Sequence, residues 1–298
     1  MNRRFNKTIA LSINTCQFLF QPQMEPRRPV SSAVKTIALL SHFSATRPEI
    51  GLSEFCRLAG RDKATTHRHL QALEESGFVE QNPVTKAYRL GPVVLQLART
   101  RELTMPRKAG AETVASRIAE TTGETVHVSV LSGSTLYPLT SCESDKHSTR
   151  VIIDVQTFPL HATASGICAL AFGPQELLKV ACGDMHAFTR DTPTSPEVLE
   201  RAVDAARQTG FARSDRGYEE DVSSISAPIF DQSGLFAGAV SVASVTSRFT
   251  PELQRRIQSE LIAASREISR NWGGKVPENI ESVWRLHTKI QEVKDVTS

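Results

Sequence analysis

The cysteines of this 298-residue chain are few and scattered. The five of them, at positions 16, 56, 142, 168 and 182, form no Cys-x-x-Cys pair and no spacing typical of zinc ligands. An odd number of isolated thiols fits a reducing cytoplasm better than a disulfide-bonded scaffold. The sequence also lacks a phosphate-binding glycine loop and a paired-carboxylate signature. We therefore expect no metal ion and no cofactor.

Long apolar runs are absent as well. No stretch reaches the roughly 18 to 20 consecutive apolar residues that would span a membrane. Three basic residues precede the partly apolar run of residues 8–20, which resembles a signal peptide, but polar residues interrupt the run and no small-residue cleavage site follows. We expect a cytoplasmic protein with no membrane partner. Residues 1–29 are then either a disordered extension or the product of an upstream start codon, with Met24 as the true start.

The most specific local pattern lies in residues 52–73, LSEFCRLAGRDKATTHRHLQAL. Apolar residues at helical spacing end at Gly60, because glycine tolerates the left-handed conformation that closes a helix. Asp62 then stands where a carboxylate favours the start of a second helix. The pattern therefore predicts two short helices joined by a tight turn.

The second of these helices has two predicted faces. Leu70 and Leu73 are expected to point inward, with Ala64 and His67 extending the same face. A polar outer face is typical of a recognition helix, which enters the major groove of DNA. The residues predicted to lie on or near that face, and to contact bases or phosphates, are Lys63, Thr65, Thr66, Arg68, His69 and Gln71. Two amphipathic helices joined at a glycine also occur in all-α proteins, so the neighbouring sequence decides the interpretation.

A β-hairpin is predicted directly after these helices. Residues 78–79 and 88–90 have the composition of two short strands around a turn at Asn82-Pro83. Lys86 and Arg89 lie on this hairpin where they would contact phosphates. With a further helix at residues 32–44 packed behind the motif, residues 30–91 are predicted to form a winged helix-turn-helix DNA-binding domain.

The charge distribution supports a DNA-binding N-terminal part. Residues 1–92 contain 13 Lys and Arg against 7 Asp and Glu, a net charge of +6, whereas the whole chain carries only +3. Residues 93–298 therefore carry −3. A basic part joined to a mildly acidic remainder is typical of a phosphate-binding domain attached to a domain with another role.

The remainder of the chain begins with helical patterns. Pro92 starts a predicted linker helix over residues 92–105, and a partner helix follows up to Thr122. We expect the linker to couple two domains, and a plain spacer is the alternative.

From Thr125 the apolar pattern changes from helical spacing to alternation. Strands are predicted at residues 125–132, 134–142, 150–155, 211–213, 223–230 and 235–243. Helices are predicted at residues 161–172, 175–182, 196–209 and 250–272. This order predicts an α+β effector domain over residues 106–274, in which helices cover an antiparallel sheet. The tail, residues 275–298, is predicted to hold an extra helix, for which an oligomer contact is one interpretation.

Three motifs carry a resemblance to a known family. Residues 64–80, ATTHRHLQALEESGFVE, are similar to the recognition helix and wing of the IclR family of bacterial transcriptional regulators. Residues 159–172, PLHATASGICALAF, and 217–242, GYEEDVSSISAPIFDQSGLFAGAVSV, resemble two signature segments of that family's second domain. The chain departs from the usual pattern at Ile167, where the family often has lysine, and at Ser224, where it often has cysteine. A third departure is Asp221, where glycine is usual.

The resemblance implies an α+β chain, with an N-terminal winged helix-turn-helix joined by a helical linker to a GAF- or PAS-like antiparallel-sheet effector-binding domain. It implies a homodimer or homotetramer that binds double-stranded operator DNA as repressor or activator, and a small molecule that changes this binding. Carried over to this sequence, the effector cleft would be lined by Ala164, Ser165, Gly166, Ser214, Asp215, Val222, Ser224, Ser241 and Ala243. Serine hydroxyls facing a helix N-terminus would suit a carboxylate, so we expect an organic acid. The alternative for each serine is that it satisfies a nearby backbone group.

Two other classes of function were considered from the residues. A thiol-dependent enzyme could use Cys142, Cys168 or Cys182 with a histidine as base, but nothing in the sequence places such a pair together, and a lone cysteine is usually a small core residue. A protein-interaction module with a degenerate DNA-binding domain is disfavoured because the basic and polar residues of the motif are retained. We therefore expect a regulator that is not an enzyme.

Overall fold

The computed structural model describes residues 31–44, 46–152 and 155–286. The predicted extension over residues 1–29 and the end of the tail lie outside the described residues. Two separate hydrophobic cores form. The smaller surrounds Phe55 in the N-terminal part, and the larger occupies the C-terminal part.

The N-terminal domain is a winged helix-turn-helix, as the sequence predicted. Gly60 adopts a left-handed conformation, with φ of 60°, at the turn between the two helices of the motif. A two-residue strand that the sequence did not reveal pairs with the second strand of the wing and completes a three-stranded antiparallel sheet. The elements are α1 (Ser32–Ile37), a 3₁₀ turn (Ala38–His42), β1 (Glu49–Ile50), α2 (Leu52–Ala59), α3 (Lys63–Glu75), β2 (Val79–Gln81) and β3 (Tyr88–Leu90).

The predicted linker helix is α4 (Pro92–Thr104), which ends just before α5 (Arg107–Thr122). No residue of α4 is buried, and Leu95, Leu97 and Leu103 are more than half exposed. By contrast, α5 packs a row of small and aliphatic side chains into the core of the C-terminal domain. Among residues 31–286, as far as they are described, nothing covers this apolar surface of the linker.

The C-terminal domain is built on one five-stranded antiparallel sheet with the order β5-β4-β8-β7-β6. Helices α5 and α9 pack on one face of this sheet, and α6 packs on the other. The elements are β4 (Thr125–Ser132), β5 (Thr135–Cys142), α6 (Ala164–Phe172), α7 (Glu176–Cys182), α8 (Pro196–Thr209), β6 (Ala212–Asp215), β7 (Val222–Phe230), β8 (Phe236–Val245), a 3₁₀ turn (Thr246–Arg248) and α9 (Pro251–Asn271).

The strand register gives the two faces of this sheet different chemistry. Residues directly opposite each other in antiparallel strands point to the same face. Val126, Val242 and Ile225 are paired across three strands and form an aliphatic face under α5 and α9. The next row, which points the other way, pairs His127 with Ser241. We call the second face, under α6, the serine-rich face; its residues are His127, Ser129, Ser214, Ser224, Ser226, Ser241 and Ala243.

The prediction of a strand at residues 150–155 is wrong over the described part of that segment. Residues 150–152 and 155 belong to no strand. The hydroxyl of Thr125 in β4 donates to the carbonyl of Val151 at 2.8 Å. Val151 is buried and Ile152 is exposed, so the alternation reported burial rather than strand pairing.

The tail belongs to the C-terminal domain over its described part. Residues 278–286 are helical, and Val276, Ile280 and Trp284 are buried in the large core. The indole N–H of Trp284 donates to the carbonyl of Gly210 at 3.1 Å. We therefore extend the domain past the boundary predicted at residue 274, to residue 286. Within the described ranges no helix combines the length and apolar character needed to cross a membrane.

Candidate functional site

The recognition helix α3 begins at a well-formed cap. Asp62 accepts a hydrogen bond from the backbone N–H of Thr65 at 2.8 Å, which satisfies one of the donors left free at a helix start. This bond, together with one from the Thr65 side chain, holds the pKa of the Asp62 carboxyl below its usual value. Thr65 itself is only half exposed. The cap fixes where the helix starts and therefore which residues face outward.

Two residues predicted on the outer face of α3 are buried, and their prediction as DNA contacts is wrong. Thr66 is fully buried and its hydroxyl donates to the backbone carbonyl of Asp62 at 2.8 Å. His69 is 4% exposed, and its Nδ1 lies 2.5 Å from the hydroxyl of Thr36 on α1. Burial lowers the pKa of His69, and nearby cationic side chains lower it further. His69 therefore attaches α3 to α1, whereas the Thr66 hydroxyl bonds back to the start of its own helix.

The exposed face of α3 carries three of the predicted residues. Lys63, Arg68 and Gln71 are exposed. His67, predicted to point inward, is exposed on this face as well, so it joins them as a candidate. A face with a guanidinium, an amide and an imidazole offers the donors and acceptors that read base edges.

The wing presents one of its two predicted cations. Lys86 is exposed at the end of the turn and has a φ of 58°, and its backbone N–H donates to the carbonyl of Asn82 at 2.9 Å. Arg89 is exposed too, but its guanidinium lies 2.6 Å from a carboxylate oxygen of Glu80 and 3.9 Å from one of Glu49. We therefore remove Arg89 from the candidate phosphate contacts, because two carboxylates already compensate its charge.

The positive charge assigned to the N-terminal part is unevenly distributed along it. Residues 1–30 hold five Lys and Arg and one Glu, whereas residues 31–92 hold eight basic and six acidic residues. The described domain therefore has a net charge of only +2. Its basic character depends on where the cations lie, on the exposed face of α3 and at the wing.

A small cleft opens between the N-terminus of α6 and the serine-rich face, with a cavity volume of about 30 Å³. The predicted residues that line it are Ala164, Ser165, Ser214, Val222, Ser224, Ser241 and Ala243. Strand register explains why they meet, since Ser214, Ser224 and Ala243 are paired across β6, β7 and β8.

Two residues carried over from the family pattern do not line the cleft. Gly166 lies under the chain at Pro159, where an added Cβ would stand 2.3 Å from the Pro159 carbonyl oxygen. Its role is close packing of α6. Asp215 is exposed and pairs with the guanidinium of Arg213 at 2.5 Å. The side chain of Asp215 points away because residues alternate along β6, and Ser214 takes the inward position.

Sequence reasoning missed several lining residues that come from distant segments. They are His127, Phe158, Thr163, Tyr218 and Glu219. Thr163 caps α6 by accepting from the backbone N–H of Gly166 at 3.0 Å. His127 could have been found from its place in an alternating strand, in phase with Ser129, whereas nothing local marks Phe158.

The cleft is polar without being cationic. No lysine or arginine lines it. The first backbone N–H groups of α6 have no partner within the helix. The hydroxyls of Ser214 and Ser241 already donate to backbone carbonyls, at 2.7 Å to Ala162 and at 3.4 Å to His127. Ser165 donates to the hydroxyl of Ser241 at 3.1 Å. Burial raises the pKa of the Glu219 carboxyl, which favours its protonated form, and burial lowers the pKa of His127 to about 4, which keeps that ring neutral.

Two of the three cysteines considered for catalysis have a described environment that does not activate a thiol. Cys168 is fully buried, and burial raises the pKa of its thiol far above the usual value, so the reactive thiolate is disfavoured. Cys142 contacts the hydroxyl of Ser116, with 3.3 Å between sulfur and oxygen. Of the histidines, His161 contacts the carbonyl of His186. The described ranges contain no cluster of three or more His, Cys, Asp or Glu able to hold a metal ion.

A winged helix-turn-helix joined by a helix to a sheet domain with a polar cleft defines a class of protein, the transcriptional regulators with a separate effector domain. Residues 32–83 match the domain described as the IclR helix-turn-helix domain, and residues 105–270 match the one described as bacterial transcriptional regulator IclR C-terminal. The chain belongs to the IclR family of bacterial transcriptional regulators.

The similar proteins match more than four fifths of this chain and almost the whole of their own length. The glycerol operon regulatory protein of Streptomyces coelicolor is 30% identical over 243 residues, which is 82% of this chain and 95% of that protein. An IclR transcriptional regulator from Silicibacter sp. TM1040 is 37% identical, with a TM-score of 0.77 over 84% of this chain and 99% of its own. The IclR transcriptional regulator from Alicyclobacillus acidocaldarius is 26% identical, with a TM-score of 0.72. The match covers 83% of this chain and 100% of that one.

Proposed function

We propose that this family member changes its affinity for operator DNA when a small organic acid binds between α6 and the serine-rich face. The observation that carries the proposal is the cleft itself, which is lined by serine side chains and by the N-terminus of α6 in the domain that does not carry the recognition helix. A regulator of bacterial genes acts where the chromosome is, so we place the protein in the cytoplasm.

The DNA-binding part of the proposal assigns different roles to the exposed side chains. Arg68 is the strongest candidate for reading a base, because a guanidinium donates two hydrogen bonds to guanine in the major groove. His67 and Gln71 lie on the same exposed face and would contact neighbouring bases. Lys63 and Lys86 would contact phosphates, which position the protein without specifying sequence.

The effector part of the proposal follows from the donors in the cleft. A carboxylate at the N-terminus of α6 would accept from backbone N–H groups and from serine hydroxyls, and the helix dipole favours an anion there. The absence of a lining lysine or arginine limits the ligand to one acid group, because only one helix start supplies donors for it.

We propose a homodimer, or a homotetramer assembled from dimers, because α4 exposes leucines that none of the described residues covers. Leu95 and Leu103 are 74% and 75% exposed. A second copy would bury them and would set two recognition helices at a fixed spacing, as two DNA half-sites require. Replacing Leu95 with glutamate should shift the protein towards monomer in sedimentation velocity and weaken operator binding.

The test begins with selection of a preferred duplex from random-sequence DNA by the full-length protein. Arg68→Ala should weaken binding to that duplex by roughly 10- to 100-fold and reduce the preference over unrelated DNA. Lys86→Ala should weaken binding to every duplex and lower the slope of log affinity against log salt by about one.

A matched control removes the same charge elsewhere. Arg117 on α5 is exposed and pairs with Glu267, so Arg117→Ala loses one positive charge outside the DNA-binding domain. Binding by this variant should equal that of the wild type. If Arg68→Ala binds the selected duplex as tightly as Arg117→Ala does at physiological salt, α3 does not read the sequence.

A further inference from the structure

The cleft is too small to admit an organic acid unless part of its lining moves. Its volume of about 30 Å³ has room for about two water molecules, at roughly 10 to 15 Å³ for each. The strands beneath it are paired along their length, and α6 lies so close to the chain at Pro159 that only a glycine fits at Gly166. The part that yields is therefore expected among the lining residues that belong to loops.

The loop residues of the lining are Phe158, Tyr218 and Glu219. The backbone just before Tyr218 is held by two threonine hydroxyls of a neighbouring loop, which donate to its carbonyls at 2.6 and 2.7 Å. The ring of Phe158 is held by packing alone, with its edge against His127 and 6.1 Å between the ring centroids. A ligand that replaces this packing can therefore displace the ring of Phe158.

Two residues before Phe158, the same loop contacts the N-terminal domain. The side-chain amide of Gln156 donates to the carbonyl of Phe43 at 2.8 Å. In the part of the chain that the structure describes, this is the one hydrogen bond between the two domains. Phe43 is 7% exposed, and its ring packs edge-on against Phe55 of α2 with 5.5 Å between centroids. Gln156 therefore grips a well-packed part of the DNA-binding domain.

The short spacing along the chain links the two contacts. Only one residue separates Gln156 from Phe158, so a shift of the chain at Phe158 is carried to Gln156. A hydrogen bond weakens quickly once its donor and acceptor move beyond about 3.2 Å, so a displacement of less than one ångström is enough to weaken this one. The DNA-binding domain would then be connected to the C-terminal domain through the linker alone, as far as the described residues show.

We propose that residues 156–158 transmit the state of the cleft to the DNA-binding domain. With the Phe158 ring seated on His127, Gln156 holds that domain in one orientation, and a ligand that displaces the ring releases it. Gln156 is thus a positioning residue that touches neither the ligand nor DNA. This inference rests on the proposed function and adds the route by which the cleft controls DNA binding.

A double-mutant cycle tests this route without any ligand. Gln156→Leu removes the amide donor at similar size, and Phe158→Leu removes the ring. Full-length proteins are titrated with the duplex selected for the wild type. Each single variant should change the affinity in the same direction by roughly 2- to 10-fold, the effect of one hydrogen bond. The double variant should equal the single variants, because both substitutions break the same link.

A second measurement reports the arrangement of the domains directly. Small-angle X-ray scattering of the free proteins should show the same change of the largest dimension in Gln156→Leu and in Phe158→Leu. Thr157 is exposed between these residues and makes no hydrogen bond to a described residue, so Thr157→Ala is the matched control and should scatter and bind as the wild type does. Gln156 is exposed as well, so Gln156→Leu should keep the wild-type melting temperature.

The two measurements fail in different ways. If the effects of Gln156→Leu and Phe158→Leu on affinity multiply in the double variant, the residues act independently and the proposal is overturned. Scattering curves of Gln156→Leu identical to those of the wild type would overturn it too. A wild type that selects no duplex would instead contradict the proposed function, while scattering would still test whether Phe158 controls the orientation of the domain.

Discussion

The two faces of the five-stranded sheet show how one element serves stability and binding together. Val126, Val242 and Ile225 fill the aliphatic face under α5 and α9 and leave no room for a ligand. The other face carries small hydroxylated side chains under a single short helix, and a cleft remains there. Neighbouring residues of one strand therefore have opposite roles, because side chains alternate between the faces.

The largest difference is expected between two adjacent residues of β7. Ile225→Ala should lower the free energy of unfolding by about 2 to 5 kcal/mol, because Ile225 is 2% exposed on the aliphatic face. Ser224→Ala, on the cleft side, should change it by less than about 1 kcal/mol. Both tryptophans of the chain, Trp272 and Trp284, lie in the C-terminal domain, so tryptophan fluorescence during urea denaturation reports this domain alone.

The ligand response should show the reverse order. Ser224→Ala should weaken binding of the acid, whereas Ile225→Ala should bind normally at temperatures where it remains folded. Equal losses of stability in the two variants would mean that both faces support the fold and that the proposed division is absent.

A prediction of intermediate size concerns pH. His127 on the serine-rich face is buried and neutral, with a pKa of about 4, whereas an unfolded chain has a histidine pKa near 6.5. Between these values the unfolded state binds a proton that the folded state does not, so stability is full above about pH 6.5 and is lost as pH falls towards about 4. The loss should approach about 3 kcal/mol, at roughly 1.4 kcal/mol per pH unit.

The control for this pH effect is the variant His127→Leu, which lacks the imidazole. Glu219 lines the same cleft, and the pKa of its carboxyl is raised by burial, so it opposes the histidine near the acidic end of the range. The difference between wild type and His127→Leu isolates the histidine. Parallel stability curves for the two proteins from pH 7 to pH 4.5 would show that His127 is not buried in the neutral form.

The sequence was sufficient for most of the elements, apart from β1 and the strand wrongly predicted at residues 150–155, and it was insufficient for some of their faces. Helical spacing identified α3 and the inward position of Leu70 and Leu73. Thr66 is four residues before Leu70 and His69 four before Leu73, so the same spacing would have placed both inward. Their polarity suggested otherwise, because sequence alone does not show that Thr36 and the backbone of Asp62 would satisfy them.

The cleft shows the same limit at longer range. Its serines were found from motifs, because strand alternation and one helix start bring them together. Phe158 was missed because only the folded loop brings it to the ring of His127. Gly166 was assigned to the ligand although it serves packing, since a motif records that a small residue is required without recording what approaches it.

The last prediction, smaller than the pH effect, tests that close approach on the serine-rich face. Gly166→Ala should lower the free energy of unfolding by about 2 kcal/mol. The new Cβ would stand 2.3 Å from the Pro159 carbonyl oxygen and 2.5 Å from the Cα of Leu160. Both are backbone atoms, which cannot move away unless α6 moves. Gly183→Ala is the control, since the nearest atom to its Cβ would be 3.3 Å away and its φ is an ordinary −77°.

Unfolding followed by tryptophan fluorescence should separate the two variants. The acid's affinity should fall only in Gly166→Ala, because a displaced α6 carries Ala164 and Ser165 away from the cleft. If Gly166→Ala were as stable as Gly183→Ala but bound no acid, Gly166 would belong to the ligand site, as the family pattern implied.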